Sequence, residues 1–306
     1  MTFKAKEVFA ISRSTKLFLK SVLYTAIIMT AIGGLLLFTK MPGFKAPVKS
    51  SSESSGVLPF SPTDEDRFSL LCTLSKEKNS SPYAYFIIGF DGNEKRISVC
   101  RLFKETVLSS EGKPKILLNE SFDRGGAKGA AQALNDYFSC DISRYINFTN
   151  DSLLSFFDLF DPVVMDVPQS LSQIDRKNDI YIKIDKGRQS MSGILLLDFI
   201  ACTVWEKGNA QTLYQSAAAI TEFLRQNHEA LSLTLSSEAE SYILSNCDTN
   251  ISVTDMENRR ALISYLPFES GDGIVTLSLD GEFKNEETEF HLDQKSFDLI
   301  KGHYAK

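Results

Sequence analysis

The sequence predicts an α/β fold, a central mixed β-sheet flanked by helices in three layers, preceded by a single N-terminal transmembrane helix. Three observations predict it. Over 116–168 the apolar periodicity reads helix, strand, helix, strand, an order that needs crossover connections. Two β-like runs, 83–90 and 97–103, flank Asp91-Gly92-Asn93-Glu94, a turn signal that makes them a hairpin. Residues 21–39 carry no charge and are bounded by Lys20 and Lys40.

That apolar segment comes first in the chain. Nineteen helical residues rise roughly 28 Å, enough to cross a bilayer core. A cleaved signal peptide would have a shorter apolar core and a small-residue cleavage site, neither of which is evident. Five basic residues precede the segment, so 1–20 reads as a cytoplasmic tail and the rest as extracytoplasmic, on the cell membrane. Ala26, Thr30 and Gly34 form a small-residue line that could pair helices, although most such lines do nothing in particular. Residues 40–67, rich in Ser and Pro, read as a tether, and 68–306 as the folded domain.

Within the domain, 68–74 reads as a short strand. Gly125-Gly126 opens a helix whose apolar face is Ala127, Ala130, Ala131, Leu134 and Phe138. A strand follows over 144–149, then a helix over 152–160 capped by Asn150 or Asp151, then a strand over 163–167 stopped by Pro168. A helix is expected after Asn209 through Ala230. Capping boxes at Ser237/Glu240 and Thr254/Glu257 open two more, running to about Asn246 and Leu266. Period-two alternation over 273–280 reads as a strand, with 290–292 as its partner, and a last helix spans 294–301.

Charge excludes one class of function. Eight of the 33 basic residues but one of the 39 acidic residues lie at or before Lys49, so the remainder is strongly acidic. Nucleic acid, which needs a basic face, is disfavoured as a partner. The five cysteines lie far apart without metal or redox spacing and read as core residues, with one bridge left open if the domain is outside the cell. His228, His291 and His303 share no metal spacing. No phosphate-binding loop, dinucleotide fingerprint or nucleophile elbow is present.

One stretch carries a resemblance. Asn119, Phe122, Gly125-Gly126, Ile142-Ser143-Arg144-Tyr145-Ile146, Phe148, Asp158, Val163, Met165 and Asp166-Val167-Pro168 fall in the order of a pattern found in LytR-CpsA-Psr envelope proteins. The resemblance extends over about 68–226. It implies a phosphoryl transfer from a polyprenyl pyrophosphate, held by arginines, acids and a metal ion, with the lipid tail in an apolar groove between sheet and helices. The implied product is a wall or capsular glycopolymer joined to peptidoglycan in a Gram-positive-type envelope. Bridging phosphates accumulate charge that guanidinium forks or a divalent cation must meet.

Several positions depart from that pattern. A Ser-Ile-Pro-Arg-Asp run is replaced by Arg101-Leu102-Phe103-Lys104-Glu105, so Lys104 and Glu105 keep the signs of the catalytic pair without the planar fork. An ordinary polar strand end is the plainer reading. The stretches 72–74 and 81–83, where metal-placing aspartates are expected, hold no carboxylate. The chain offers no hard-metal ligand set of its own, and Mg2+ enters only through the resemblance. Ala201 stands where a helix should end in arginine. In the next helix Gln211 and Tyr214 replace two more arginines, leaving Gln215. The candidate site is therefore Lys104 and Glu105 for catalysis, with Arg101, Asn119, Arg124 and Gln215 for substrate. Arg96 and Arg188 could help if they converge with these.

Three contacts of about 1.5–3 kcal/mol each, if lost, would slow transfer by roughly 10³ to 10⁶. The sequence thus favours a membrane-anchored binder of a polyprenyl-linked glycan, of peptidoglycan or of a sister enzyme, with weak or no catalysis. An active glycopolymer phosphotransferase and an anchored interaction module are the alternatives.

Overall fold

The computed structural model describes residues 60–63, 66–175, 180–234, 238–266 and 273–305. The expected membrane span at 21–39 and nearly all of the expected linker lie outside them. Strand β1 (Arg67–Ser75) pairs antiparallel with β2 (Ala84–Asp91), which pairs antiparallel with β3 (Arg96–Leu102). This is the hairpin read from the turn signal. A small ribbon of β4 (Val107–Leu108) and β5 (Ile116–Leu117) leads into helix α1 (Leu118–Phe138).

Helix α1 begins earlier than expected. The two glycines lie inside it as a kink, with Gly126 at φ 63° and ψ −159°, a region that essentially only glycine occupies. The kink brings the first turns back over the second part, where a Cβ on Gly129 would sit 2.6 Å from the Ser121 carbonyl oxygen. Beyond it, Ala127, Ala130, Ala131, Leu134 and Phe138 are all buried, as the 3.6-residue spacing requires.

β6 (Ile142–Thr149) returns parallel to β1. Helix α2 (Asn150–Phe157) follows, capped by Thr149 rather than Asn150 or Asp151: the Thr149 and Ser152 side chains bond each other's backbone N–H groups. β7 (Val163–Val167) forms as read but leaves the central sheet to pair with β10 (Gly187–Met191). Between them runs the hairpin β8 (Leu171–Asp175) and β9 (Ile180–Ile184).

Helices α3 (Gly193–Ala201) and α4 (Gly208–Gln226) come next, then α5 (His228–Thr234) and α6 (Glu238–Asn246). The single helix expected to Ala230 is thus two, broken at Asn227. Strand β11 (Asp248–Thr249) pairs with β6, and α7 (Val253–Tyr265) is capped by Ser252 with Asp255 rather than from Thr254. Ser237 lies outside the described residues.

The expected strand at 273–280 is short. Only β12 (Ile274–Thr276) joins the sheet, parallel to β3. β14 (Glu289–Leu292) pairs with β13 (Gly281–Lys284) instead, because the chain turns after residue 284 and brings that segment back as the nearer partner. Helix α8 (Gln294–Tyr304) closes the fold.

The central sheet has the order β11-β6-β1-β2-β3-β12, mixed in direction. Alternation along its strands assigns two faces. Leu71, Tyr85, Ile87, Cys100 and Leu102 pack under α1 and α8, where Phe138 meets Phe297 edge-on at 5.4 Å. Leu74, Phe86, Ile146 and Phe148 face α2, α3, α4 and α6. Three layers result. All five cysteines are free thiols, three of them buried.

Candidate functional site

The segment after β3 carries Lys104 and Glu105. Their side chains approach at 3.6 Å, and backbone bonds fix both: the Asn119 N–H donates to the Lys104 carbonyl at 3.0 Å, and the Phe290 N–H to that of Glu105 at 2.8 Å. Asn119, in the first turn of α1, therefore stands beside this pair. Its amide Nδ2 donates to Asp123 at 3.4 Å, the Tyr85 hydroxyl donates to its Oδ1 at 3.4 Å, and Ser81 Oγ donates to Asp123 at 2.5 Å. Burial pushes the Tyr85 hydroxyl far up, with the Asp123 and Glu105 charges adding to the effect.

Asp123 was not legible as a site residue. It stands one helical turn beyond Asn119, a spacing that matters only once 118–124 is known to be helical. It supplies a carboxylate next to Ser81, where the sequence offers none. No group of three or more His, Cys, Asp or Glu side chains suited to a metal occurs among the described residues. Glu105 and Asp123, which both act on the Tyr85 hydroxyl, are the two carboxylates that would hold a divalent ion together with substrate phosphates, and no step is derived through it.

Arg101 lies elsewhere. It projects from β3 to the opposite face, 2% exposed, and donates to the Ile200 carbonyl at 3.0 Å and to Ser216 Oγ. Its Nε is buried without a partner. Desolvation lowers its pKa to about 10, opposed by Tyr83, Cys202 and Glu105. Gln215 is half-buried one residue from Ser216. Arg124 is 70% exposed and pairs with Glu120 within α1. Arg96 pairs with Glu94 at the far end of β3, and Arg188 lies on β10 opposite Asp166. The cations that could have replaced the missing arginines therefore do not converge.

The second feature is a cavity of about 220 Å³ between the sheet and α2, α4, α5, α6 and α7. Its wall is built of side chains such as Leu74, Phe86, Phe148, Phe156, Phe223 and Ile263. None of Arg101, Lys104, Glu105, Asn119, Arg124 or Gln215 lines it. The charged residues that do are Arg144, Asp255 and Arg259.

Comparison with known proteins now bears on this geometry. Residues 77–306 match the LytR_cpsA_psr family. The chain belongs to that family. Its fold is shared with a candidate transcription regulator from Eubacterium siraeum (TM-score 0.71, 20% identity, covering 84% of this chain and 97% of that one). It is shared also with Bacillus subtilis TagV (TM-score 0.58, 15% identity, 78% and 96%) and with TagT bound to LI-WTA (TM-score 0.57, 14% identity, 79% and 92%). No protein of curated description matches the sequence. In this chain the Arg101 guanidinium enters the gap between α3 and α4 from β3.

Proposed function

We propose that this protein is a membrane-anchored, extracytoplasmic LytR-CpsA-Psr protein that binds a polyprenyl-phosphate-linked glycopolymer and transfers it slowly or not at all. The observation that carries this reading is the apolar cavity standing apart from the weakened polar cluster. A cavity walled by Phe, Leu and Ile suits an isoprenoid chain, since each buried CH2 contributes about 0.8 kcal/mol. Beside Lys104 and Glu105, the guanidinium forks of the family pattern are missing. Arg101 is sunk between α3 and α4, and Lys104 already faces Glu105. The 19-residue apolar segment supports the anchor.

The test is a transfer assay on the full-length chain in vesicles, with a lipid-pyrophosphate-linked glycan donor and Mg2+. The donor is expected to bind while turnover stays at least about 10³ below an intact relative, with Lys104→Ala changing little. Turnover at the relative's rate, abolished by Lys104→Ala, would favour an active transferase.

A further inference from the structure

The β8–β9 hairpin has two unlike faces. Leu171, Ile182 and Ile184 are buried beneath it, in the core that also holds Phe199 and Trp205. Alternation turns Ser172, Ile174, Tyr181 and Lys183 the other way. Ile174 and Tyr181 stand directly opposite each other across the two strands, 68% and 59% exposed. Among the described residues no other large apolar side chain is as exposed as Ile174. One row nearer the base, Ser172 stands opposite Lys183, both exposed.

Side-chain amides hold the hairpin in place. Gln173 Nε2 donates to Thr203 Oγ1 at 3.2 Å, and its Oε1 accepts from the Thr203 N–H at 3.0 Å. Gln169, ahead of β8, donates to the Val204 carbonyl at 3.4 Å and accepts from the Glu206 N–H at 3.1 Å. The hairpin is thereby tied to the α3–α4 connection, three residues beyond the Ile200 carbonyl that receives Arg101. Val204 in that connection is exposed as well.

The surrounding charge selects a partner for this face. Lys183 and Lys186 are exposed and form no ion pair among the described residues, while Arg188 stands opposite Asp166. Residues 168–191 hold five basic and three acidic residues, in a domain that is strongly acidic as a whole. An aromatic and an aliphatic tip with lysines behind them suit the headgroup region of an anionic bilayer. Such a surface is within reach. Nineteen residues separate Lys40, at the end of the apolar segment, from Phe60, and fully extended they span roughly 65 Å. A contact made under such a tether can be weak and still be occupied.

We infer that the Ile174–Tyr181 face docks on an anionic bilayer, with both side chains among the headgroups and Lys183 and Lys186 on lipid phosphates. The inference rests on the anchored reading above and deepens it. Docking this hairpin turns the α3–α4 end of the domain toward the membrane in which a lipid-linked donor lies.

Quenching of fluorescence by lipid tests it. Full-length chains carrying Tyr181→Trp or, on α7, Val253→Trp are reconstituted in nanodiscs whose lipids are brominated near the headgroup. Val253 is 55% exposed and serves as the control, and the parent chain gives the background of its one tryptophan, the buried Trp205. With phosphatidylglycerol present, Tyr181→Trp is expected to be quenched at least about twofold more than Val253→Trp. Adding Lys183→Glu and Lys186→Glu, or replacing phosphatidylglycerol with phosphatidylcholine, should remove most of that excess. Quenching no greater than for Val253→Trp would overturn the inference, and so would equal quenching in the two lipids. Shielding of Tyr181→Trp from aqueous acrylamide without quenching by lipid would overturn it in favour of a protein on this face. A chain that does not co-purify with nanodiscs would overturn the anchored reading and the docking with it.

Discussion

Arg101 holds a full charge among a carbonyl, a hydroxyl and aromatic side chains, with no carboxylate in salt-bridge contact among the described residues. Keeping a guanidinium dry costs free energy that a carboxylate would normally offset. Arg101→Met leaves the Ile200 carbonyl bonded, since Ser216 Oγ still donates to it at 3.0 Å. The variant is expected to be more stable by about 1 kcal/mol, seen as a rise of about 2–4 °C in the thermal midpoint. A drop of that size would mean the charge has a partner. Asp255 shows the reverse case. The hydrogen bond from Arg144 holds its carboxyl down at about 2, with Ser252 adding to it. A pKa below the unfolded value of about 3.9 gives stability that is full above pH 4 and lost as pH falls toward 2. Asp255→Asn should therefore unfold at lower urea than the parent at pH 7, with the gap closing between about pH 4 and 2. At this scale the sequence points to Ala201, Gln211 and Tyr214 as positions where the resembled pattern carries arginine. It could not show that Arg101 turns away from Lys104, because Lys104 lies in the turn after β3 ends at Leu102, where strand alternation no longer assigns a face.

The kink in α1 is where an element departs most from its local signal. A pair of glycines reads as a helix start, and so it is for the second half. The preceding turn is held by tertiary contacts, the Lys104 carbonyl and Tyr85 among them, which no local pattern announces. Gly126→Ala should cost about 1–3 kcal/mol in denaturant unfolding, because φ 63° with ψ −159° excludes a Cβ. Gly125→Ala, at negative φ with nothing within 4 Å of the added carbon, should cost less than about 1 kcal/mol. Equal losses at the two sites would contradict this account of the kink. The strands β1 to β3 and β6 were legible because their apolar runs and turn are local. The β7–β10 and β8–β9 ribbons and the β13–β14 pairing were not, since their partners are chosen by the layers they cover.

For the whole molecule, the sequence led to the three-layer order and the family pattern, whereas the separation of cavity from polar cluster emerged from the packing. Phe68, Leu70, Cys72 and Leu74 alternate along β1 toward the helices, so the cavity is a gap in a core and not a motif. Such a gap responds to what fills it. An alkyl phosphate at a hundredfold excess over its Kd should stabilise the protein by about 2.7 kcal/mol. Ile220→Trp, which fills the space, should abolish that increment while costing about 1–3 kcal/mol by itself. The most direct measurement is the fate of a radiolabelled lipid-pyrophosphate-linked glycan donor incubated with the full-length chain, glycan acceptor and Mg2+. The donor is expected to be retained by the protein and recovered unreacted. Efficient release of lipid phosphate with glycan joined to the acceptor would contradict it.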